Sequence, residues 1–356
     1  MIPVTILTGF LGSGKTTLLK RLLHEQHGMK IAVIENEFGE ENIDNDILVQ
    51  EAGEQIVQLS NGCICCTIRG DLARALADLA ARKRAGELHF ERVVIETTGL
   101  ANPGPVAQTF FMDDATADTF LLDAIITLVD AKYGNHQLDE HEVVQRQVGF
   151  ADRIFITKAD LVDRATLDDL HHRLLRINPK AQIRVVSFGE IDLKEVFDLR
   201  GFNLDAKLEI DPDFLTDDED EHDHDHDHDH GHDHDGHDDD DDDHEGHHDH
   251  HHHHAHHDDK IKSFVFRSDR PFDPDRLEDF FDGILQIYGP QMLRYKGVLY
   301  MEGVDRKVVF QGVHQMMGSD LAGKWLPAEK KTSKMVFIGI DLPQDLISDG
   351  LNGCLA

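Results

Sequence analysis

Residues 9–16 of this sequence read Gly-Phe-Leu-Gly-Ser-Gly-Lys-Thr, a run of small residues that ends in a lysine and a hydroxyl. This is the spacing of a loop that binds nucleotide phosphates, and a strand pattern precedes it and a helix pattern follows it, as such a loop requires. The glycines let backbone N–H groups face the phosphates, and the start of the helix favours negative charge. We expect the Lys15 ammonium to reach the β- and γ-phosphates and the Thr16 hydroxyl to bind Mg²⁺. The predicted phosphate-binding residues are Gly9, Gly12, Ser13, Gly14, Lys15, Thr16 and Thr17.

Residues 157–160, Thr-Lys-Ala-Asp, directly follow a predicted strand. GTPases usually carry Asn-Lys-x-Asp at this place, so Thr157 stands where Asn is usual, and Lys158 and Asp160 remain as the specific pair. A carboxylate at Asp160 can accept hydrogen bonds from guanine N1–H and the 2-amino group, which adenine lacks. The motif therefore predicts GTP as the nucleotide. A Lys-x-Asp alone is also typical of a surface helix start, and its place after a phosphate loop favours base binding.

A further acid for the Mg²⁺ site is expected at the end of an apolar strand, and two residues compete for this role. Glu96 follows the apolar run 93–95, and Asp130 follows the apolar run 125–129. Glu96 is the first residue of Glu-Thr-Thr-Gly, and we expect the N–H of Gly99 in this motif to contact the γ-phosphate. A helix or loop cap is the alternative role for Asp130.

Three of the four cysteines lie within four residues of one another, at Cys63, Cys65 and Cys66. Thiolates so close together suit a soft ion with tetrahedral coordination, Zn²⁺ first and Cu(I) second. A fourth ligand must come from elsewhere, and the acidic stretch 35–41 is near in sequence. The alternative is a group of small buried side chains with one redox-active thiol.

Residues 217–259 hold 21 acidic residues and 18 histidines, with no Lys or Arg. They carry most of the net charge of −34, because the rest of the chain has 48 acidic and 35 basic residues. Such a segment cannot bury apolar surface, and we expect it to be disordered unless metal organises it. Imidazoles favour Zn²⁺, Ni²⁺, Co²⁺ and Cu²⁺. The alternating histidines are predicted metal ligands, above all His222, His224, His226 and His228. A solubilising acidic linker is the alternative.

Upstream of residue 200, short runs rich in Val and Ile alternate with helix-length segments. Such runs are typical of a parallel sheet covered on both faces, so the predicted class is α/β, a doubly wound, mostly parallel P-loop sheet. The predicted strands are 4–8, 31–35, 92–97, 124–130, 153–157 and 183–187, and the predicted helices include 16–27, 71–84 and 165–177.

The pattern changes after residue 260. A strand at 262–267, a helix at 273–288 and strands at 292–301, 307–313 and 335–341 predict a small C-terminal α+β domain. The predicted organisation is a P-loop GTPase domain at 1–210, a His/Asp-rich metal-binding linker at 211–259 and the α+β domain at 260–356.

Composition excludes several classes of partner. No apolar run approaches the ~18 residues of a membrane span, and the N-terminus lacks the pattern of a signal peptide. We therefore expect a soluble, cytoplasmic protein without a membrane partner. The sequence has no basic stripe that would bind nucleic acid. A monomer and a homodimer are both compatible with it.

Five motifs together resemble the CobW-type GTPases of the CobW/HypB/UreG superfamily, which are metal-trafficking relatives of the urease and hydrogenase nickel-insertion GTPases. The Gly-Cys-Ile-Cys-Cys motif at 62–66 distinguishes this family. The resemblance is closest to YjiA-like bacterial members and extends into the second domain. The five motifs are the segments 8–17, 35–40, 61–66, 96–99 and 157–160, and the matching segments of the second domain are 294–297 and 310–313.

This resemblance implies GTP hydrolysis coupled to delivery of a transition metal, commonly zinc or cobalt, to a client protein. It also implies that the Cys cluster lies close to the nucleotide, with Cys65, Glu35 and Glu40 forming a metal site. It also implies that Glu96, in preference to Asp130, is the acidic residue of the Mg²⁺ site.

The functional hypothesis is a switch, in which GTP holds the Cys cluster in a metal-competent or client-binding arrangement and hydrolysis releases it. The expected ligands are GTP or GDP, Mg²⁺ and Zn²⁺, with Co²⁺ and Ni²⁺ as alternatives, and the expected partner is a metal-dependent client protein. One alternative function is a metal buffer or sensor in which the nucleotide is structural or regulatory. Another is an ATP-dependent small-molecule kinase, against which Asp160 argues.

Overall fold

The computed structural model describes residues 1–24, 29–35, 68–186, 191, 195–197, 199, 259–326 and 329–356. Within these ranges the first domain is built on six strands: β1 (Ile2–Gly9), β2 (Ile31–Glu35), β3 (Arg92–Glu96), β4 (Phe120–Asp130), β5 (Arg153–Thr157) and β6 (Gln182–Val185). They form one sheet in the order β2-β3-β1-β4-β5-β6, and neighbouring strands are parallel. This confirms the predicted doubly wound α/β fold.

Helices connect the strands of this sheet. No helix in the described ranges is long and apolar enough to cross a membrane. The helices of the first domain are α1 (Lys15–His24), α2 (Ile68–Arg84), α3 (Pro103–Met112), α4 (Asp114–Thr119), α5 (Gly134–Glu140), α6 (Glu142–Phe150) and α7 (Arg164–Ile177), with a short 3₁₀ helix at Ala159–Leu161.

Consecutive apolar residues of β1 pack into the two different layers that cover the sheet. Ile6 belongs to the cluster that contains Leu76 of α2 and Val148 of α6, whereas Leu7 packs with Leu18 of α1. Successive strand residues point to opposite faces, so a strand buried on both faces is apolar at every position. This double burial explains the continuous Val and Ile runs of the sequence.

The ends of some elements differ from the prediction. Strand β4 begins at Phe120, four residues before the predicted start, because Phe120 and Leu122 continue the pairing with the first residues of β1. Helix α2 begins at Ile68 and not at residue 71. Strand β6 ends at Val185, two residues before the predicted end.

The C-terminal domain is a five-stranded antiparallel sheet with two helices, which confirms the predicted α+β class. Its strands lie in the order β10-β9-β8-β11-β7, where β7 is Ile261–Ser268, β8 is Met292–Leu299, β9 is Arg306–Val313, β10 is Met316–Lys324 and β11 is Ser333–Ile340. Helices α8 (Pro274–Tyr288) and α9 (Gln344–Gly353) cover one face through residues such as Phe281 and Ile347.

Strand β10 and helix α9 were not predicted from the sequence pattern. Strand β10 contains two glycines and is exposed at most positions, so it lacks the apolar alternation that indicates a strand. It forms because its backbone pairs with β9 over most of its length. Helix α9 is short and contains two glycines, and it is stabilised by burial of Ile347 and Leu351.

The two domains share a buried interface. The Arg294 guanidinium donates to the carbonyl of Phe150 at 2.8 Å and to Oδ1 of Asp152 at 2.6 Å, and both ionised side chains are 2% exposed. Asp259, the last residue of the predicted linker, is also buried and accepts hydrogen bonds from Arg173 of α7. The rest of the predicted linker, 211–258, lies outside the described residues.

Candidate nucleotide-binding site

The loop that joins β1 to α1 has a backbone that only glycine adopts freely. Gly9, Gly12 and Gly14 have φ values of 140°, 76° and 99°, in the region that L side chains rarely enter. A Cβ atom on Gly9 would lie 2.4 Å from the carbonyl oxygen of Leu128 and 2.8 Å from Oγ of Ser13. The glycines identified in the sequence are therefore required by this loop conformation.

The interior of this loop holds a hydroxyl that suits a phosphate oxygen. Ser13 is fully buried, and its Oγ has no hydrogen-bond partner among the described residues. A buried polar group without a partner is costly. Because Ser13 lies two residues before Lys15, where α1 starts, a bound phosphate would satisfy it and also meet the helix N-terminus. The loop therefore fits a nucleotide phosphate.

Lys15 is folded into the same loop. Its Nζ donates to the carbonyls of Gly9 at 2.8 Å and Phe10 at 3.1 Å, and the residue is buried. Burial lowers the pKa of the ammonium, because desolvation disfavours the charged form, and the negative charge of Glu96 partly opposes this. A phosphate anion beside Nζ would favour the charged form in the same way.

Thr16 and Glu96 lie side by side at the end of the sheet. Oγ1 of Thr16 is 3.3 Å from Oε1 of Glu96, to which it donates. Glu96 ends β3, the parallel neighbour of β1, and its Cα pairs with Leu7. A hydroxyl and a carboxylate are hard oxygen ligands, which suit Mg²⁺. Thr17, the next residue of α1, is exposed.

Asp130, the other candidate acid, is occupied by different partners. Its Oδ1 accepts the backbone N–H groups of Lys132 at 2.8 Å and Tyr133 at 3.2 Å, so it caps the loop after β4. Its Oδ2 accepts a hydrogen bond from Nζ of Lys158 at 2.6 Å. Asp130 thus holds Lys158 of the Thr-Lys-Ala-Asp motif in place.

Gly99 lies directly against the phosphate loop. A Cβ atom there would stand 2.7 Å from the backbone nitrogen of Leu11, so the close approach requires glycine. The backbone N–H of Ala101 donates to the carbonyl of Thr98 at 3.0 Å and closes a turn. This turn faces the loop from β3, and contact of the Gly99 N–H with a γ-phosphate stays a prediction.

The Thr-Lys-Ala-Asp motif is tied to the phosphate loop from the other side. Oγ1 of Thr157 donates to the carbonyl of Ser13 at 2.9 Å, and Nζ of Lys158 donates to the carbonyl of Gly12 at 2.8 Å. Lys158 has a φ of 58°, which turns the chain sharply after β5. Asp160 follows in the 3₁₀ helix and is exposed. The hydroxyl of Thr157 thus joins the Thr-Lys-Ala-Asp motif to the phosphate loop.

We expect Thr157→Val to lower the free energy of unfolding by about 1–3 kcal/mol, because the carbonyl of Ser13 would lose its buried donor. Thr157→Ser keeps the hydroxyl and is the matched control. Urea unfolding of both variants, together with their affinity for GDP, measures the effect. Equal stability of the Val and Ser variants would contradict a structural role for this hydrogen bond.

The predicted transition-metal ligands lie largely outside the described residues. The backbone of Glu35 ends β2 in register with Glu96, but its side chain is not described. No group of three or more His, Cys, Asp or Glu side chains that could hold a metal ion occurs in the described part of the chain. The predicted ligands that fall outside it are Glu40, Cys63, Cys65, Cys66, His222, His224, His226 and His228.

Two residues next to the site were missed by the sequence analysis. Gln147 of α6 is fully buried and contacts the turn that contains Gly99. The ring of His141 stacks on Phe10 of the phosphate loop, with ring centroids 4.7 Å apart. A signal for Gln147 was present, because an amide stands between Val144 and Val148 on the apolar face of a helix.

Two known protein domains match the two halves of this fold. The CobW/HypB/UreG nucleotide-binding domain matches residues 3–185, and the C-terminal domain of the cobalamin synthesis protein cobW matches residues 261–355.

Two relatives are similar to this chain over almost its whole length. The chain is 39% identical over 355 residues to the zinc chaperone YjiA of Escherichia coli (strain K12), which covers 99% of this chain and 98% of that protein. It is 32% identical over 392 aligned residues to the zinc chaperone CobW of Pseudomonas aeruginosa, which covers 100% of this chain and 92% of that protein.

A solved structure is similar over the same length. The crystal structure of the Zn(II)-bound YjiA GTPase from E. coli matches with a TM-score of 0.75 and 36% identity, over 100% of this chain and 99% of that chain. The loop geometry, the two matching domains and these full-length similarities lead to one conclusion. This chain belongs to the CobW/HypB/UreG family of nucleotide-binding proteins.

Proposed function

We propose that this chain binds zinc and couples the hydrolysis of GTP to transfer of the metal to a client protein. The chain is a GTPase of its family, with a complete phosphate loop. The observation that carries the proposal is its similarity over the whole chain to a Zn(II)-bound GTPase and to proteins named zinc chaperones. In the proposal Co²⁺ and Ni²⁺ are alternative metals, and the protein acts in the cytoplasm.

In the proposed mechanism the phosphate loop holds the nucleotide and the neighbouring side chains stabilise the charge that develops on it. The Lys15 ammonium, already placed among loop carbonyls, neutralises the β- and γ-phosphates. Thr16 and Glu96 are the residues that would hold Mg²⁺, which when bound stabilises the negative charge of the transferring phosphoryl group. The N–H of Gly99 contacts the γ-phosphate, and Asp160 selects guanine.

The proposed zinc ligands are Cys63, Cys65 and Cys66, with Glu35 and Glu40 as oxygen ligands. Support comes from the end of β2, where Glu35 lies opposite Glu96 in the parallel pairing. The carboxyl ends of parallel strands meet at one edge of a sheet, which is also the edge that binds nucleotide. The segment that carries the proposed zinc ligands therefore starts beside Glu96, the proposed Mg²⁺ ligand. At this position hydrolysis of GTP can change the arrangement of the segment.

The His/Asp-rich segment is proposed to load metal onto this site. It separates the proposed GTPase domain, 1–210, from the C-terminal domain, 260–356, and its high density of carboxylates concentrates cations near His222, His224, His226 and His228. The same composition favours a second candidate function, a metal buffer or sensor in which the nucleotide has a structural or regulatory role.

Linkage gives a direct test of the proposed coupling. If GTP changes the affinity for zinc, zinc must change the affinity for GTP by the same factor. We expect zinc affinities with a non-hydrolysable GTP analogue and with GDP to differ by at least about fivefold. Calorimetry measures both values, and a variant without residues 217–258 isolates the Cys cluster from the histidines while it keeps the buried Asp259. Identical affinities in the two nucleotide states would contradict the coupled mechanism and favour the buffer.

A further inference from the structure

Gln147 of α6 has a buried side chain whose amide orientation is fixed by its partners. Its Nε2 donates to the carbonyl of Gly99 at 3.0 Å and to the carbonyl of Ala101 at 3.1 Å. Both partners are acceptors, so the NH₂ group must face them. The opposite atom, Oε1, is buried and has no hydrogen-bond partner among the described residues.

This arrangement is unfavourable for stability taken alone. A buried amide oxygen without a partner loses its hydration, and an apolar side chain of similar length would avoid that loss. The surrounding positions show that the helix face is apolar, since Val144 and Val148 are both core residues. The two hydrogen bonds from Nε2 are what a glutamine supplies at this position and a methionine does not.

The two bonds act on the turn that carries Gly99. The N–H of Ala101 donates to the carbonyl of Thr98, which closes the turn, and Gln147 holds the next carbonyl, that of Gly99. Because a trans peptide is planar, the N–H of Gly99 points away from the carbonyl of Thr98. The bond to the Thr98 carbonyl therefore holds the peptide plane that carries the Gly99 N–H, and the two bonds from Gln147 hold the following part of the turn.

The helix that carries Gln147 is itself held in place on several sides. The carbonyl of Gln147 accepts a hydrogen bond from Oγ1 of Thr127 in β4 at 2.8 Å. Oε1 of Gln145 accepts the backbone N–H groups of Lys260 at 3.0 Å and Ile261 at 3.2 Å, at the start of the C-terminal domain. The Thr127 bond holds the backbone of Gln147 directly, whereas Gln145, two positions away, lies on a different face of the helix and joins it to the C-terminal domain.

We propose that Gln147 is a positioning residue for GTP hydrolysis, which acts by orienting the turn of residues 98–101 so that the N–H of Gly99 faces the γ-phosphate. The inference rests on the role given to Gly99 in the proposed function. The buried Oε1 of Gln147 destabilises the fold, but the NH₂ group of the same side chain aligns the Gly99 N–H before the reaction. Donors that are aligned in advance contribute strongly to the stabilisation of developing charge.

The first test replaces Gln147 with methionine, which keeps the length of the side chain and removes both donors. We expect kcat for GTP hydrolysis to fall by about 10- to 100-fold, because a small misplacement of a reacting group has an effect of this size. The KM for GTP and the affinity for GDP should stay close to those of the natural protein. The midpoint of thermal unfolding should fall by no more than that of Gln145→Met, because each variant leaves backbone groups without their side-chain partner.

Gln145→Met is the matched control, since it changes a buried glutamine of the same helix that contacts the C-terminal domain. We expect it to lower the thermal midpoint and to leave kcat within about twofold. If both variants instead lost activity in proportion to their loss of stability, Gln147 would have a structural role alone and the inference would be wrong.

Gln147→Glu adds a readout that a structural role would not change. A carboxylate cannot donate to the Gly99 and Ala101 carbonyls, whereas a protonated carboxyl can donate to one of them. Burial beside two carbonyl oxygens raises the pKa of such a carboxyl, so we expect kcat of this variant to rise as the pH falls from about 8 to about 6. A pH profile with the same shape as that of Gln147→Met would contradict the inference.

Gly99→Ala separates this inference from the role of Gly99 itself. We expect the Ala variant to bind GDP and to lose hydrolysis, because its Cβ would collide with the backbone of Leu11. Normal hydrolysis by Gly99→Ala would overturn the proposed role of Gly99 and the inference with it. If Gly99→Ala lost hydrolysis but Gln147→Met kept the kcat of the natural protein, the proposed role of Gly99 would stand and only the inference about Gln147 would be wrong.

Discussion

We expect Arg294→Met to lower the free energy of unfolding by about 3–5 kcal/mol. The guanidinium of Arg294 is paired with Asp152 in the interface between the two domains, where both side chains are 2% exposed. Removing one partner leaves the buried Asp152 carboxyl without its cation, and the carbonyl of Phe150 loses a donor as well. Urea unfolding followed by fluorescence and by circular dichroism measures the change.

Lys324→Met is the matched control for this prediction. Lys324 also forms an ion pair, with Asp305, but the two side chains are 74% and 72% exposed. Exposed pairs of this kind contribute about 0–1 kcal/mol. We also expect Arg294→Met to recover part of its lost stability when Asp152→Asn is added, because the amide carries no charge. Equal effects of Arg294→Met and Lys324→Met would show that the domain interface does not depend on this pair.

Lys15→Ala is expected to reduce kcat/KM for GTP hydrolysis by roughly 10³-fold or more, since it removes the cation that faces the β- and γ-phosphates. The ammonium of Lys15 is held inside the loop by two carbonyls, so its position is already set before substrate binds. A phosphate-release assay measures the effect. Lys20→Ala, in the same helix, is the matched control and should keep the natural rate.

The same variant separates the two candidate functions in cells. A chaperone driven by GTP hydrolysis requires Lys15, so Lys15→Ala should fail to support growth under zinc limitation. A metal buffer requires its thiolates and imidazoles, so Lys15→Ala would still protect cells from metal stress. Protection by the Ala variant equal to that of the natural protein would contradict the chaperone proposal.

The sequence alone identified the parts of the site whose chemistry lies in consecutive residues. The phosphate loop is such a part, because its glycines and Lys15 are set by a local spacing, and the φ values of Gly9, Gly12 and Gly14 match that expectation. The alternation of apolar strands and helices also predicted the parallel sheet, since burial on both faces leaves a direct pattern in the sequence. Strand β10 left no such pattern, because an exposed edge strand has no apolar face.

Contacts between distant segments were decided by the tertiary structure. The hydroxyl of Thr157 reaches Ser13 across 144 positions, and the Arg294–Asp152 pair joins residues 142 positions apart. Such contacts depend on which strands are neighbours and on how the two domains pack. No spacing in the sequence encodes either of these, so neither the Thr157 link nor the domain interface was predicted.

The tertiary structure decided which of the two candidate acids lies beside Thr16 of the phosphate loop. Glu96 and Asp130 both end apolar strands, and from the residues alone their roles stayed open. The sheet order distinguishes them, because β3 pairs with β1 and brings Glu96 beside Thr16, whereas Asp130 at the end of β4 pairs with Thr157 of β5. Local spacing determined that this chain holds a phosphate loop, and the packing order of the strands decided which carboxylate lies beside it.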